Sequence, residues 1–202
     1  MPESGIGLIP DVGGTWLLSR APGRIGEYLA LTGARMGPGD AIHAGFADLY
    51  IPEAEWPDLI AALEREGDVA VLRGHEAPAA PLADRDLSAF GATDVATISA
   101  ALDPVRDADA LEALSRNSPL SMAAGLAMVR AAREDQRMQQ SLSREFRFTA
   151  RATAESDFLE GVRAQIIDKD RAPAWSAAAT PDGVAALLAP LGAEELSWED
   201  GQ

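Results

Sequence analysis

The sequence predicts an α-rich α/β fold to which this chain contributes mainly helices. Amphipathic patterns of helical period occupy most of residues 93–165, whereas glycine and proline interrupt the first 52 residues. Only residues 46–51 have the pattern of a strand, closed by Pro52. An independent α/β domain needs several strands of about five residues each. We therefore expect the sheet of the complete fold to lie outside this chain.

The beginning of the chain is expected to form short helices around a glycine-rich loop. Pro10 and the four glycines within residues 5–14 exclude a regular helix or strand there. A short helix should follow over residues 15–19. A second should run from about Pro22 to Gly33, which is a natural C-terminal cap.

The next segment is predicted to be a brief helix, a longer helix and a loop. A turn over residues 37–40 ends in Asp40, which should cap a helix that reaches Gly45. Residues 53–66 have apolar side chains at near-helical spacing. Residues 74–81 show no period and contain two prolines, so they are expected to form a surface loop.

The rest of the chain is strongly helical. Short polar side chains precede the apolar runs and are expected to cap the helices at Asp94, Asp107 or Asp109, Ser118 and Asp157. Pro119 then takes the first helical position, where its missing N–H costs little. The spacing of Met138, Leu142, Phe146 and Ala150 predicts a long amphipathic helix over about residues 134–153, with Met138 in the core.

Composition argues against several classes of function. The chain has 17 basic against 32 acidic residues and a net charge of -15, the opposite of a nucleic-acid-binding surface. It has no cysteine, which excludes disulfides, thiolate metal sites and cysteine nucleophiles. No apolar run approaches the roughly 20 residues of a membrane helix. With no signal peptide visible at the N-terminus, these features predict a cytoplasmic protein without a membrane partner.

A polyanionic small ligand such as coenzyme A needs only a local group of cations. Arg20, Arg24 and Arg35 form such a run close to the glycine-rich loop. The two histidines, His43 and His75, have no metal-ligand spacing with acidic partners, so no metal site is predicted. We expect His43 to be a residue of a short helix and His75 to be a loop residue.

Glu3 and Asp11 bracket the glycine-rich loop and are the candidate catalytic and substrate-binding residues. Apolar neighbours would desolvate a carboxylate there and raise its pKa, which suits acid–base work, while a second carboxylate nearby holds a water or hydroxyl. On spacing alone, a non-catalytic interpretation explains both residues. Glu3 would then be an exposed terminal residue, and Asp11 would form a turn. The loop matches neither G-x-G-x-x-G nor a P-loop, which excludes a dinucleotide or nucleotide site of those types.

Residues 2–14 read PESGIGLIPDVGG, a segment that resembles the crotonase (enoyl-CoA hydratase/isomerase) superfamily. Members carry a P-E…G…P-x-x-G-G segment just after the middle of the chain. The likeness continues through residues 17–20, 31–33, 40–47, 118–121 and 157–164. The resemblance implies the C-terminal part of a crotonase-like ββα-spiral fold with its helical C-terminal region, and an N-terminal sheet half that this chain lacks.

Two features resemble one branch, the 3-hydroxyisobutyryl-CoA hydrolases. Asp11 stands where most hydratases have glycine, and residues 167–175 read IDKDRAPAW where hydratases read like E-K-R-x-P-x-F. In that branch the glutamate matching Glu3 is the principal catalytic carboxylate, and the aspartate matching Asp11 contacts the substrate hydroxyl or the attacking water. The resemblance implies thioester hydrolysis in valine catabolism, with Glu3 as nucleophile or general base and both carboxylates converging on one acyl thioester.

The resemblance also implies three segments and an incomplete site. Residues 1–52 would be the end of the crotonase core with its catalytic loop, residues 53–92 a variable helix and linker, and residues 93–202 the helical C-terminal region. Two backbone N–H groups of the superfamily's N-terminal half hold the thioester carbonyl. Because each such donor is worth roughly 3–4 kcal/mol, the isolated chain is expected to be a poor or inactive enzyme.

The expected partners follow from this assignment. They are an acyl-CoA substrate, and either further copies of the chain or a complementing N-terminal half. No cofactor is expected, since the coenzyme A thioester is the substrate. Two alternatives stay open, namely an enoyl-CoA hydratase or isomerase of the same fold, and a non-catalytic partner or oligomerisation module that uses the helical segment 93–165.

Overall fold

The computed structural model describes residues 1–175 and 179–198. The chain divides into two compact units, one formed by Met1–Arg35 with Asp86–Gln202 and a smaller one formed by Met36–Arg85. The division into segments at residues 52 and 92 stays a prediction. Over the described ranges, no helix is both long and apolar enough to cross a lipid bilayer.

The described elements are helices joined by turns. In chain order they are α1 (Gly14–Arg20), α2 (Ile25–Thr32), α3 (Pro38–His43), α4 (Trp56–Glu66), α5 (Pro81–Asp84), α6 (Val95–Ala101), α7 (Ala108–Arg116), α8 (Pro119–Ala132), α9 (Met138–Glu155), α10 (Phe158–Val162) and α11 (Pro181–Leu188). Helices α3 to α5 lie in the smaller unit. A 3-10 turn, Glu3–Ile6, precedes α1, and a π-helical turn, Arg163–Ile167, follows α10.

The predicted strand at residues 46–51 is wrong. The described part of the chain contains no strand, and Tyr50 makes only an isolated antiparallel bridge with His75. Leu49 is 47% exposed, so it is not buried against a sheet. A strand without a paired neighbour leaves its ladder groups unsatisfied. The chain is therefore helical where it is described, and the sheet-bearing half of the predicted α/β fold stays a prediction.

Local capping signals predicted several helix ends correctly. The Asp94 carboxylate accepts a hydrogen bond from the Thr97 N–H at 2.8 Å, and the Ser118 hydroxyl accepts one from the Ser121 N–H at 3.2 Å. Gly33 ends α2 with φ of 63°, a left-handed conformation that glycine adopts at little cost.

Asp40 does not cap α3 as predicted. The helix begins at Pro38, so Gly37 is the N-cap residue and Asp40 lies in the first turn. Its carboxylate instead accepts a hydrogen bond from the Leu82 N–H at 2.8 Å. The buried aspartate therefore satisfies a donor at the start of α5 within the smaller unit.

The larger unit is built around α8, whose middle is almost wholly buried. A core cluster joins this helix to α9, α11 and the N-terminal loop, and its buried members are Ile9, Leu120, Ala124, Met128, Phe148, Ala152 and Leu187. Helix α9 buries a different stripe from the predicted one, because Met138 is 41% exposed whereas Glu145 is 2% exposed. The prediction that Met138 belongs to the core is wrong.

Candidate functional site

The glycine-rich loop begins as a tight 3-10 turn that fixes the backbone of Glu3. The Gly5 N–H donates to the Pro2 carbonyl at 2.9 Å, and the Leu8 N–H donates to the Glu3 carbonyl at 3.0 Å. Gly7 ends the turn with φ of 76°. A Cβ at Gly7 would lie 2.5 Å from the backbone carbon of Asp157, so the turn also requires the absence of a side chain.

Glu3 faces a cavity of about 470 Å³. The cavity is lined by Pro2, Glu3, Gly5, Ile6, Thr32, Gly33, Arg116, Asn117, Gln165 and Arg171. Glu3 is half-buried, and its Oε2 atom is buried without a hydrogen-bond partner among the described residues. Burying a carboxylate oxygen without a hydrogen-bond partner costs free energy. Unpaired buried polar atoms of this kind are found at catalytic sites.

Two exposed arginines, Arg116 and Arg171, bring positive charge to this cavity. The Arg116 carbonyl accepts a hydrogen bond from the Trp175 indole at 2.8 Å. Arg171 has φ of 55°, a left-handed conformation, and its N–H donates to the Ala164 carbonyl at 3.0 Å. The cavity thus combines one carboxylate with cations that suit an anionic ligand.

Arg163 stabilises the turn that carries Arg171. Its guanidinium donates to Glu160 at 2.7 Å, to Asp168 at 2.7 Å and to Asp170 at 2.7 Å. These bonds join α10 to the turn after the π-helical segment. The Arg163 hydrogen bond to Glu160 is the largest cause that holds the pKa of the Glu160 carboxyl down to about 2, and the bond from the Ala174 N–H is the next.

We expect the Glu160 carboxyl to titrate with a midpoint near 2 when followed by carboxyl ¹³C NMR. Because the folded-state pKa is depressed, the stabilisation is fully present above the ordinary value of 4.5 and is lost as the pH falls through about 2. Arg163→Gln should move the midpoint back toward the ordinary value. A midpoint unaffected by this change would contradict the assigned cause.

Asp11 lines a second, smaller cavity of about 200 Å³. The lining residues are Asp11, Val12, Leu142, Glu145, Phe146, Thr149, Leu196 and Trp198. Partial burial raises the pKa of the Asp11 carboxyl above its ordinary value. The turn is closed by the Gly14 N–H, which donates to the Asp11 carbonyl at 2.7 Å.

Glu145 is a buried acid beside Asp11 that the sequence analysis missed. Its carboxylate accepts hydrogen bonds from the Gly13 N–H at 2.8 Å, from the Thr15 N–H at 2.9 Å and from the Thr15 hydroxyl. Burial is the largest cause that raises the pKa of Glu145, and the neighbouring Asp11 charge adds to it. One sequence signal could have indicated that Glu145 is buried. It lies three residues before Phe148, on a different face of α9 from the apolar stripe that starts at Met138.

The structure places Glu3 and Asp11 at separate cavities. Glu3 lies on the 3-10 turn, facing Arg116 and Asn117 where α7 meets α8, whereas Asp11 lies against α9. The described residues therefore do not form the single cleft expected for both carboxylates. The Asp11 turn is hydrogen-bonded to Glu145 of α9, which lines the same smaller cavity as Asp11. The catalytic roles of Glu3 and Asp11 stay predictions.

The other sequence candidates make structural contacts. His75 lies 2.9 Å from the Glu55 carboxylate, and the Ser118 hydroxyl donates to Asp157 at 2.8 Å. The interpretation of Ser118 as a capping residue is confirmed. In the part of the chain that is described, no group of three or more potential ligands is arranged to hold a metal ion.

Two of the three arginines near the loop, although exposed, are hydrogen-bonded to other parts of the fold. Arg20 donates to the Ala132 and Asp135 carbonyls at 2.9 Å, and Arg24 pairs with the buried Glu27 at 2.8 Å. The cations that line the Glu3 cavity come instead from later in the chain.

Comparison with known proteins agrees with the helical arrangement. A profile of a family described as enoyl-CoA hydratase/isomerase matches residues 1–188. The crystal structure of an enoyl-CoA hydratase from Rhodobacter sphaeroides superposes with a TM-score of 0.91 at 53% identity, and covers 98% of this chain and 61% of its own. A carnitinyl-CoA dehydratase from Mycobacterium thermoresistibile superposes with a TM-score of 0.88 at 38% identity, over 100% of this chain and 61% of its own.

Curated relatives of this chain are named as hydrolases, unlike the two solved structures. The 3-hydroxyisobutyryl-CoA hydrolase 1 of Arabidopsis thaliana is 33% identical over 87% of this chain and 52% of its own length. The mitochondrial 3-hydroxyisobutyryl-CoA hydrolase of Gallus gallus is 32% identical over 97% of this chain and 57% of its own length. The chain thus spans about half the length of the curated relatives it matches.

Proposed function

Since the chain belongs to the enoyl-CoA hydratase/isomerase family, we propose that it carries the catalytic carboxylates of a 3-hydroxyacyl-CoA thioester hydrolase with 3-hydroxyisobutyryl-CoA as substrate. The observation that carries the proposal is Glu3, a residue that lines a cavity together with two arginines and whose buried Oε2 has no hydrogen-bond partner among the described residues. The names of the curated relatives support the choice of substrate.

The proposed chemistry breaks the thioester C–S bond with water. As general base, Glu3 takes a proton from a water molecule whose oxygen attacks the acyl carbonyl, and the proton is then delivered to the leaving thiolate. As nucleophile, Glu3 attacks the carbonyl itself and forms a mixed anhydride that water hydrolyses. Both routes give one free 3-hydroxy acid and one coenzyme A.

Arg116 and Arg171 are the residues that we propose to meet an anionic part of the substrate. Both side chains are exposed at the cavity that Glu3 lines, so each reaches a phosphate without the cost of burying its charge. Asp11, partly buried and with a raised pKa, is proposed to contact the substrate hydroxyl or the water. This role requires Asp11 and Glu3 to share one site in the complete protein.

Enoyl-CoA hydration is the second candidate function. It is favoured by the 53% identity to a structure named enoyl-CoA hydratase, which exceeds the identity to the curated hydrolases. Hydration adds water across a carbon–carbon double bond and leaves the thioester intact. Product analysis therefore separates the two, because only the hydrolase releases free coenzyme A.

The proposed function is tested by measuring coenzyme A release from 3-hydroxyisobutyryl-CoA beside hydration of an enoyl-CoA. Both assays use the chain alone and the chain co-expressed with the N-terminal part of the Rhodobacter relative. Coenzyme A release by either form supports the hydrolase, and hydration alone supports the second candidate. Binding of neither substrate would indicate a non-catalytic partner. A cytoplasmic location is part of the proposal, although the Gallus relative is named mitochondrial.

Asp11→Gly is expected to lower the rate of hydrolysis about 100-fold while acyl-CoA affinity changes by less than about threefold. The reason is that the carboxylate contacts the reacting groups, whereas the bulk of the binding surface lies elsewhere. Asp11→Asn, which keeps the volume and the turn, should show the same loss. Steady-state kinetics and calorimetric binding measure the two effects, and an unchanged rate would count against the hydrolase.

A further inference from the structure

The carboxylate of Glu145 holds the turn that carries Asp11 from 130 residues away in the sequence. Its Oε2 accepts from the Gly13 N–H at 2.8 Å, and its Oε1 accepts from the Thr15 N–H at 2.9 Å and from the Thr15 hydroxyl. The side chain is 2% exposed. Two backbone donors that would otherwise be buried without a partner thus meet one ionisable acceptor.

The turn held in this way is strained. Val12 has φ of 55°, which is rare for a β-branched residue, and its side chain is 86% exposed. Gly13 follows with φ of 84°. Such a conformation persists only where surrounding contacts fix it, and the contacts seen here are the Glu145 bonds and the Gly14 N–H to Asp11 carbonyl bond of 2.7 Å.

The two acids share a cavity without a compensating cation. Among the described lining residues, Asp11 and Glu145 are the titratable side chains, and the rest are apolar or hydroxyl-bearing. Each carboxylate is partly or wholly removed from water, and the two charges repel. Burial is the larger cause of the raised pKa of Glu145, and the Asp11 charge raises it further.

We propose that Glu145 is a positioning residue of the enzyme, which fixes the 11–14 turn so that the Asp11 carboxylate is presented in one orientation to the substrate. This inference rests on the proposed function. It assigns Glu145 no contact with substrate. Its two backbone hydrogen bonds lie on either side of Gly14, so losing them frees the segment that follows Asp11.

The test compares Glu145→Gln with Glu27→Gln. Glu27 is also fully buried and bonded to two donors, Arg24 at 2.8 Å and Arg133 at 2.8 Å, but neither belongs to the Asp11 turn. Both variants lose a buried charge and are expected to lose stability. A role that is only structural would thus affect both variants alike.

Glu145→Gln is expected to speed amide hydrogen exchange at Gly13 or Thr15 about tenfold or more, because glutamine replaces one of the two accepting oxygens by an NH₂ group that cannot accept. In the active form, kcat should drop about tenfold or more, with KM within about threefold. Glu27→Gln should change none of these.

Unchanged amide exchange at Gly13 and Thr15 in Glu145→Gln would overturn the proposal. So would a normal kcat in a protein that hydrolyses the thioester. If no form of the protein releases coenzyme A, the proposed function fails, while the exchange data still decide whether Glu145 positions the turn. Should Glu145→Gln not fold, Thr15→Val removes one of the three bonds and is expected to change the same readouts in the same direction by a smaller factor.

Discussion

Glu3→Gln is expected to lower kcat for coenzyme A release about 10²–10⁴-fold, the range usual for loss of a general base or nucleophile. Glutamine preserves the size of the side chain but neither accepts the proton of water nor attacks the carbonyl. The affected oxygen, Oε2, is buried and unpartnered among the described residues, so the fold does not depend on a contact that the change removes. Single-turnover kinetics with 3-hydroxyisobutyryl-CoA measure the effect.

Glu134→Gln is the matched control, because it makes the same chemical change at an exposed position. It should leave kcat within about twofold of the unmodified protein. The urea midpoint of both variants is measured alongside, so that a smaller folded fraction is not mistaken for lost chemistry. If Glu3→Gln retained half of the activity, Glu3 would be neither base nor nucleophile, and the proposed site would have to lie elsewhere.

Local sequence signals predicted the helix ends well because their causes are local. Gly33 ends α2 because glycine adopts φ of 63° at little cost. Ser118 and Pro119 start α8 because the Ser118 hydroxyl accepts a hydrogen bond from a free N–H of the first turn, and the fixed φ of Pro119 is already helical. The predicted strand at residues 46–51 failed for the opposite reason. Pairing depends on a neighbour, and Tyr50 finds only a single bridge with His75.

The face of α9 could not be predicted because it is decided by tertiary hydrogen bonds. The apolar stripe that starts at Met138 favours one side of the helix, yet the helix turns Glu145 inward. Burial of this acid is offset by three donors on the Gly13–Thr15 segment. Nothing in the spacing of the sequence joins two segments separated by 130 residues. The sequence therefore indicated Glu3 and Asp11 but not the acid that holds the Asp11 turn.

Gly161→Ala is expected to lower the free energy of unfolding by about 3 kcal/mol or more, the upper end of the cost of overpacking. Gly161 is buried in α10, and a Cβ there would lie 2.1 Å from the carbonyl oxygen of Ile6 and 2.3 Å from its carbon. Both atoms are backbone, so relief requires the whole 3-10 turn that carries Glu3 to move. Urea denaturation measures the stability, and coenzyme A release should be lost together with it.

Gly125→Ala provides the comparison within the same unit. Gly125 also lies in a buried helix, but its Cβ would meet only the Pro10 side chain at 3.4 Å, an ordinary contact. Removing a helical glycine there should leave stability unchanged or raise it by roughly 0.5–1 kcal/mol. Both changes add one methyl group to a helix. The difference in stability between the two variants therefore measures the effect of the close backbone contact separately from helix propensity. Equal stability of the two variants would show that α10 does not fix the Glu3 turn by direct contact.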